Sequence, residues 1–244
     1  MRWLTDHYRV VPLREIVRRL AHGLPLRGLA AVTFDDAYQG VFEHAWPLLL
    51  DLGIPATVFV VANTPASGDA YWWDRPAIAG HASAGVREHW LTELGGDGDA
   101  IVATVPDARA TAPATPECLP AGWDTIAACA EAGLTVGVHS ATHRALPRLS
   151  DNELAEEVVG SWETIRRETG AAAEFFAYPY GRWDARARDA LRQAGYRGAV
   201  TLDAELVTRN ADPWALPRVN VPAGISGPAF ECWCAGLRPA GRDA

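Results

Sequence analysis

Three short clusters in this 244-residue chain carry residue types that could do chemistry together, and each follows a short apolar run. Asp35-Asp36 comes directly after Ala31-Val32-Thr33-Phe34. His139 and His143 come after Leu134-Thr135-Val136-Gly137-Val138, and Tyr178-Pro179-Tyr180-Gly181 closes a run that begins at Glu174. Adjacent carboxylates allow a division of labour, one binding a cation and the other moving a proton. Two histidines four residues apart are expected to share one side of a helical turn, so that both imidazoles can reach one ion. Two histidines and one carboxylate with open positions suit zinc, or another divalent first-row ion, that also holds water and substrate. Spacing alone does not say which aspartate is the ligand.

The elements that must position these residues alternate. Leu13, Ile16, Val17 and Leu20 recur at helical spacing between Pro12 and His22. A strand is expected over Leu29–Phe34, a helix over Val41–Leu52 and a strand over Ala56–Val61, which together read as a βαβ unit. The continuous apolar strands predict a parallel sheet covered on both faces, whose carboxyl ends are where ligands bind. Residues 63 to 119 break this rhythm. They hold the Gly95-Gly96-Asp97-Gly98-Asp99 run and the Ala/Thr/Pro-rich stretch Ala110–Pro116, and are expected to form an insertion with short helices around Val86–Leu94 and Ala100–Val105. Tyr71-Trp72-Trp73-Asp74-Arg75 opens it; exposed aromatics beside a site can stack on sugars, while in a chain with ten tryptophans they can equally belong to a core. The alternation resumes with helix Trp123–Ala132, strand Leu134–Val138, a helix from a capping box at Ser150 and Glu153 up to Gly170, strand Glu174–Tyr178, helix Asp184–Ala194 and strand Tyr196–Leu202. A strand at Arg218–Val221 and a short helix near Phe230 complete it.

Composition narrows the function classes. Hydrophobic residues at 49% and charged ones at 21% predict a folded domain. The formal charge of -8 argues against nucleic acid, whose phosphates need a basic surface. There is no apolar run of membrane-spanning length, and Met1-Arg2-Trp3-Leu4-Thr5-Asp6-His7 lacks the apolar core of a signal peptide, so a cytoplasmic location is expected. Cys118, Cys129, Cys232 and Cys234 contain no C-x-x-C pair and are expected to be reduced and mostly buried.

The ordered set Thr33-Phe34-Asp35-Asp36, His139-Ser140-Ala141-Thr142-His143 and Tyr178-Pro179-Tyr180-Gly181 resembles the polysaccharide deacetylases of the NodB-homology class, carbohydrate esterase family 4. The similarity runs from about Val10 through Val221. It implies an α/β fold, a distorted (β/α) barrel of about seven strands, with residues 1–244 as a single deacetylase domain interrupted by the insertion. It also implies a metal-dependent hydrolase that removes N-acetyl groups from an N-acetylated carbohydrate. Asp36, His139 and His143 would hold the ion, most simply Zn2+, with Co2+, Ni2+ or Mn2+ as substitutes. Asp35 would be the general base, and the Tyr180 backbone N–H an oxyanion donor. Two departures stand out. Ala37 occupies the family's usual glycine position, and the arginine that braces the catalytic aspartate in the third motif is missing from Phe176-Ala177-Tyr178-Pro179. Arg218, in Leu216-Pro217-Arg218-Val219, is the expected substitute brace. Trp214 in Asp212-Pro213-Trp214 loosely matches a fourth motif and could line an acetyl pocket or simply pack.

An alternative from another class is a catalytically weak or inactive carbohydrate-binding member of the same fold, although a binder has no use for a free Asp35. A serine hydrolase is disfavoured by the lack of a G-x-S-x-G elbow, and a two-metal phosphoesterase by the lack of further ligands. The sugar and the oligomeric state stay open, though a cytoplasmic location favours a soluble or lipid-linked intermediate. The general acid is unassigned. Family members place a histidine either near the C-terminus or on a strand before the Asp pair, yet His143 is the last histidine, and His7, His22 and His44 fit neither context. The chain is therefore expected to start after the strand that carries the acid and to act weakly.

Overall fold

The computed structural model describes residues 1–108, 115–222 and 224–237. Seven short strands form in chain order: β1 (Arg9–Val10), β2 (Leu29–Ala30), β3 (Val32–Phe34), β4 (Ala56–Val60), β5 (Thr135–Val138), β6 (Phe175–Ala177) and β7 (Gly198–Val200). Strands β3 to β7 pair in sequence order as one parallel sheet, and β1 pairs with β2 in a separate parallel ribbon. The expected strand Leu29–Phe34 is thus divided at Ala31 between two sheets. Among the described residues the sheet curls into a half-barrel rather than closing. Its far edge runs out because the segment after β7 carries Pro213, Pro217 and Pro222, which cannot donate to a ladder. Leu216 makes one parallel bridge to Val200, and Arg218–Val221 forms no strand, contrary to the sequence expectation.

Side-chain alternation assigns the two faces of the sheet. Val58, Val60, Val136, Val138, Phe176 and Ala199 point outward into a core shared with the surrounding helices, and Val32 and Phe34 pack against it. The intervening residues therefore turn inward: Thr33 and Asp35 on and after β3, Gly137 and His139 on and after β5. The concave side is filled by Phe59, Phe175, Ala177, Val200 and Leu216, closed by Leu13 and Val17 of helix Leu13–Ala21. Gly137 is needed there, because a Cβ at this position would lie 2.5 Å from the Phe59 ring. Burying each such aromatic or aliphatic side chain contributes about 1.5–3 kcal/mol.

The outer helices match expectation closely: Trp123–Glu131, Ala185–Ala194 capped by Asp184, and the helix begun by the Ser150–Glu153 capping box. That last helix widens into a π turn at Glu156–Gly160 before continuing as Ser161–Thr169. Between 64 and 118 the expected helices appear as Ala84–Thr92 and Gly98–Thr104, with additional ones at Thr64–Ser67 and Pro76–His81. Trp72, Ile78, Trp90, Leu91, Ile101 and Val102 give this segment a core of its own. Most of the Ala110–Pro116 stretch lies outside the described residues. The cysteines are free thiols, Cys232 exposed and the other three only half-buried. Among the described residues no helix is long and apolar enough to cross a membrane.

Candidate metal centre and catalytic cleft

The ends of β3, β5 and β6 converge at the top of the half-barrel. Asp35 and Asp36 follow β3, His139 follows β5, and Tyr178–Gly181 follow β6. His139 Nε2 and His143 Nε2 are 3.1 Å apart, and Asp36 Oδ1 lies 3.6 and 3.4 Å from them. A tetrahedral ion with bonds of about 2.0–2.1 Å spaces its ligands about 3.3–3.4 Å apart, so this triangle has the dimensions of three zinc ligands. His139 Nδ1 is 2.7 Å from the Ala177 carbonyl oxygen, which can only accept. The proton therefore sits on Nδ1, and Nε2 presents its lone pair to the centre. Burial pushes the pKa values of both histidines down, His143 well below the usual range, with His139 adding to that shift. Neutral imidazoles are what a metal requires.

Asp36 and Asp35 are electrostatic opposites. Burial, then the charges of Asp35 and Asp74, push the Asp36 carboxyl well above the usual carboxylate range, and its Oδ1 is buried without a hydrogen-bond partner. A buried carboxyl of this kind is neutralised by a proton or by a cation, and the donor set around it fits a divalent ion. Burial also acts to raise Asp35, but Arg218 and His139 outweigh it and hold the carboxyl at about 2. Arg218 grips Asp35 with both ends of its guanidinium, Nη1 to Oδ1 and Nη2 to Oδ2, each at 2.7 Å. Nη1 also donates to Thr33 Oγ1, Nε to the Thr201 carbonyl, and the guanidinium lies over the Phe59 ring. The residue expected from sequence to brace Asp35 is thus beside it, although it sits in coil and not on a strand.

The loop His139–His143 is not helical. Ser140 and His143 both have positive φ, 64° and 62°, which no helical turn allows. Asp36 (67°), Ala37 (48°) and Tyr180 (57°) share that left-handed region, and positions of this kind each cost about 1–3 kcal/mol. Ala37 thus adopts a conformation that glycine would adopt without strain. Surrounding hydrogen bonds offset the strain. Ser140 Oγ accepts from the His143 N–H, and Tyr71 donates its hydroxyl to the Asp36 carbonyl at 2.7 Å. Buried Glu157, in the π turn, accepts from the N–H groups of Ala141 and Thr142 and from the Thr142 hydroxyl. The sequence reading missed Glu157. Its only signal is a second glutamate beside Glu156 on a helix whose core-facing stripe it adjoins.

Aromatic residues from 71 to 73 wall the centre. The Trp73 ring centroid is 4.6 Å from that of His143 and 4.6 Å from that of Tyr71, with which it stacks. Tyr71 and Trp72 are buried, so they belong to a core rather than to an exposed sugar-stacking surface. Tyr180 sets its ring against His143 at 4.5 Å, accepts from Trp72 Nε1 at 2.9 Å and donates to the Gly96 carbonyl. Gly96 must be glycine here, because a Cβ would meet the Tyr180 ring at 2.5 Å. Trp214 packs against the outer core, its Nε1 bonded to the Tyr196 carbonyl and its face under Arg192, so it lines no acetyl pocket.

The polysaccharide deacetylase family model matches residues 25–199, which spans the Asp pair, both histidines and the Tyr178–Gly181 turn. The chain belongs to the polysaccharide deacetylase family. A Bacillus subtilis (strain 168) protein, YxkH, whose name places it in the same family, is 22% identical over 240 residues, 98% of this chain and 68% of its own. Among solved structures, the Streptococcus pyogenes deacetylase PplD in complex with acetate superposes with a TM-score of 0.67 at 17% identity, covering 97% of this chain and 82% of its own. IcaB from Ammonifex degensii gives 0.63 at 22% identity over 96% and 83%. These likenesses establish the NodB-like fold.

Proposed function

We propose that the protein is a divalent-metal-dependent hydrolase that removes acetyl groups from an N-acetylated carbohydrate, with Zn2+ the best-suited ion. The observation that carries this reading is the separation of roles in the Asp pair. Asp36 joins two neutral histidines in a metal-sized triangle, while Asp35 is held out of that triangle and ionised by Arg218. Asp36, His139 and His143 would hold the ion. When bound, it would polarise the acetyl oxygen and lower the pKa of a water.

The remaining work falls to the chain. Asp35 takes the proton as water attacks the acetyl carbon, and the bidentate Arg218 keeps that carboxylate aimed. The Tyr180 backbone N–H is assigned to the oxygen on which charge develops, as an oxyanion donor on a strained turn. The Trp73, Tyr71 and Tyr180 rings pack around His143 and would shield that side of the centre from water, which strengthens these interactions. The test is acetate release from a panel of N-acetylhexosamine oligomers, with and without chelator. Chelator-sensitive release is expected. Metal binding without acetate release from any substrate would assign the fold to carbohydrate binding instead.

A further inference from the structure

An oxyanion donor must keep its N–H free and keep it aimed. Among the described residues nothing accepts from the Tyr180 N–H, although its neighbours are all committed: Tyr178 donates to the Val200 carbonyl, Gly181 to that of Tyr178 and Arg182 to that of Pro179, while Pro179 has no N–H. Aim is the harder requirement. Tyr180 has φ 57°, and φ is the rotation about the bond from this very nitrogen to Cα. A tyrosine without other constraints prefers negative φ, and relaxing there would turn the N–H relative to the ring.

The ring is held at its far end by the inserted segment. Trp72 Nε1 donates to the Tyr180 hydroxyl at 2.9 Å, and that hydroxyl donates to the Gly96 carbonyl at 3.3 Å. Neither partner is loose. Trp72 is buried in the segment's own core, its ring centroid 5.6 Å from that of Trp90, and a Cβ on Gly98 would meet its Cδ1 at 3.3 Å. The Gly96 N–H donates to the Trp90 carbonyl, and the Gly95 carbonyl accepts from Ala145, two residues beyond His143. On its other side the Tyr180 ring meets His143, with centroids 4.5 Å apart. A ring fixed at its hydroxyl and at His143 fixes the Cα–Cβ bond, and with it φ. We propose that Trp72 and the Gly96 carbonyl are positioning groups for this reaction, holding the Tyr180 hydroxyl so that the left-handed turn presents the Tyr180 N–H to the developing oxyanion. The inference rests on the deacetylase reading of the site.

This gives the segment between 64 and 118 a part in turnover although it supplies neither the base nor a metal ligand. The oxyanion forms when water, losing a proton to Asp35, bonds through oxygen to the acetyl carbon and the carbonyl electron pair moves onto oxygen. It disappears when that pair returns and the bond to the leaving group breaks. Amides and esters both pass through it, so a fault in aiming the N–H should be felt whatever the leaving group. It should also be felt in kcat and not in KM, because the contact is made only as the transition state forms.

Two variants on opposite sides of one hydrogen bond test the assignment. Trp72→Phe removes the donor and leaves a ring in the core, and Tyr180→Phe removes the hydroxyl and leaves the ring beside His143. Deleting an oxyanion donor outright costs about 10²–10³-fold, so loss of aim should lower kcat by about 10–10²-fold in each. The losses should be alike on an N-acetylglucosamine oligomer and on 4-nitrophenyl acetate, with KM and zinc content kept. The double variant should lose no more than Tyr180→Phe alone, because both changes release the same hydroxyl. In protein carrying isotope-labelled tyrosine, the amide-to-Hα coupling of Tyr180, which reports φ, should change in Trp72→Phe. Unchanged kcat in Tyr180→Phe, or an unchanged coupling in Trp72→Phe, would overturn the proposal by showing that the turn holds its own shape. Additive losses would overturn it in favour of two separate structural roles, and a raised KM with kcat kept in favour of substrate contact by the hydroxyl. A wild type that releases acetate from no substrate would remove the deacetylase reading itself, an outcome the coupling measurement keeps separate.

Discussion

Asp35 and Asp36 are neighbours with opposite surroundings, so substitutions at and around them should separate metal binding from turnover. Asp35→Asn should keep one zinc per chain and lose about 10²–10⁴-fold in turnover, because a base can be removed without dismantling the ligands. Metal analysis beside acetate assays checks this, and undiminished turnover would remove Asp35 from its role. Arg218→Met should act through stability as well. It leaves the half-buried Asp35 carboxylate without its guanidinium partner, a loss below the about 3–5 kcal/mol that one-sided removal costs in a fully buried ion pair. In the wild type the depressed pKa of Asp35 gives stability that is present above its unfolded value and is lost as pH falls through about 2. In the variant, burial, the largest influence on Asp35, is no longer offset by Arg218 and pushes the carboxyl up against the remaining pull of His139 and His143, so protonation relieves the penalty as pH falls. The stability gap between the two proteins should therefore be widest near about pH 7 and narrow towards about pH 4, measured by urea unfolding in chelator. A gap that widens on acidification would contradict this account.

The elements contribute by directing side chains and by bracing strained turns. Strand alternation sends Asp35 and His139 into the concave side because their neighbours Phe34 and Val138 are needed in the outer core. The loop after β5 then departs from helical geometry, and it is held by an element distant in sequence, the π turn at Glu156–Gly160. Glu157→Ala should leave two backbone N–H groups and a hydroxyl without their acceptor, at about 1–3 kcal/mol for each that water does not reach. Because those groups lie between His139 and His143, zinc affinity should fall along with stability. Isothermal titration of zinc into the variant checks this, and wild-type affinity would show that the loop holds its shape without Glu157. The wide π turn that aims Glu157 at the loop has no local sequence marker. It is visible only once the helix is packed against the sheet.

At the scale of the whole molecule, the metal triangle ties together β3 and β5, so ligand binding should stabilise the fold as a unit. Zinc at about 100 times its Kd should add about 2.7 kcal/mol, seen as a raised unfolding temperature that chelator reverses. His139→Ala should abolish that increment, and a variant still stabilised by zinc would place the ion elsewhere. The sequence by itself determined the alternation of strands and helices, the three strand-end clusters and the family, because apolar periodicity and short motifs are local. It also carried the pairing of Arg218 with Asp35, through the resemblance and the arginine missing from the third motif. The tertiary structure alone decided several other features. The half-barrel stays open because prolines after β7 end the ladder, a matter of what pairs with what. Trp214 belongs to the outer core and Tyr71 and Trp72 to the interior, since exposure depends on what packs over a residue. Asp74 reaches Tyr38 across 36 residues of chain, and Glu157 reaches the histidine loop from a separate helix. Such contacts have no periodicity to announce them. They exist because folding brings distant segments to one place, where burial makes each polar group depend on its partner.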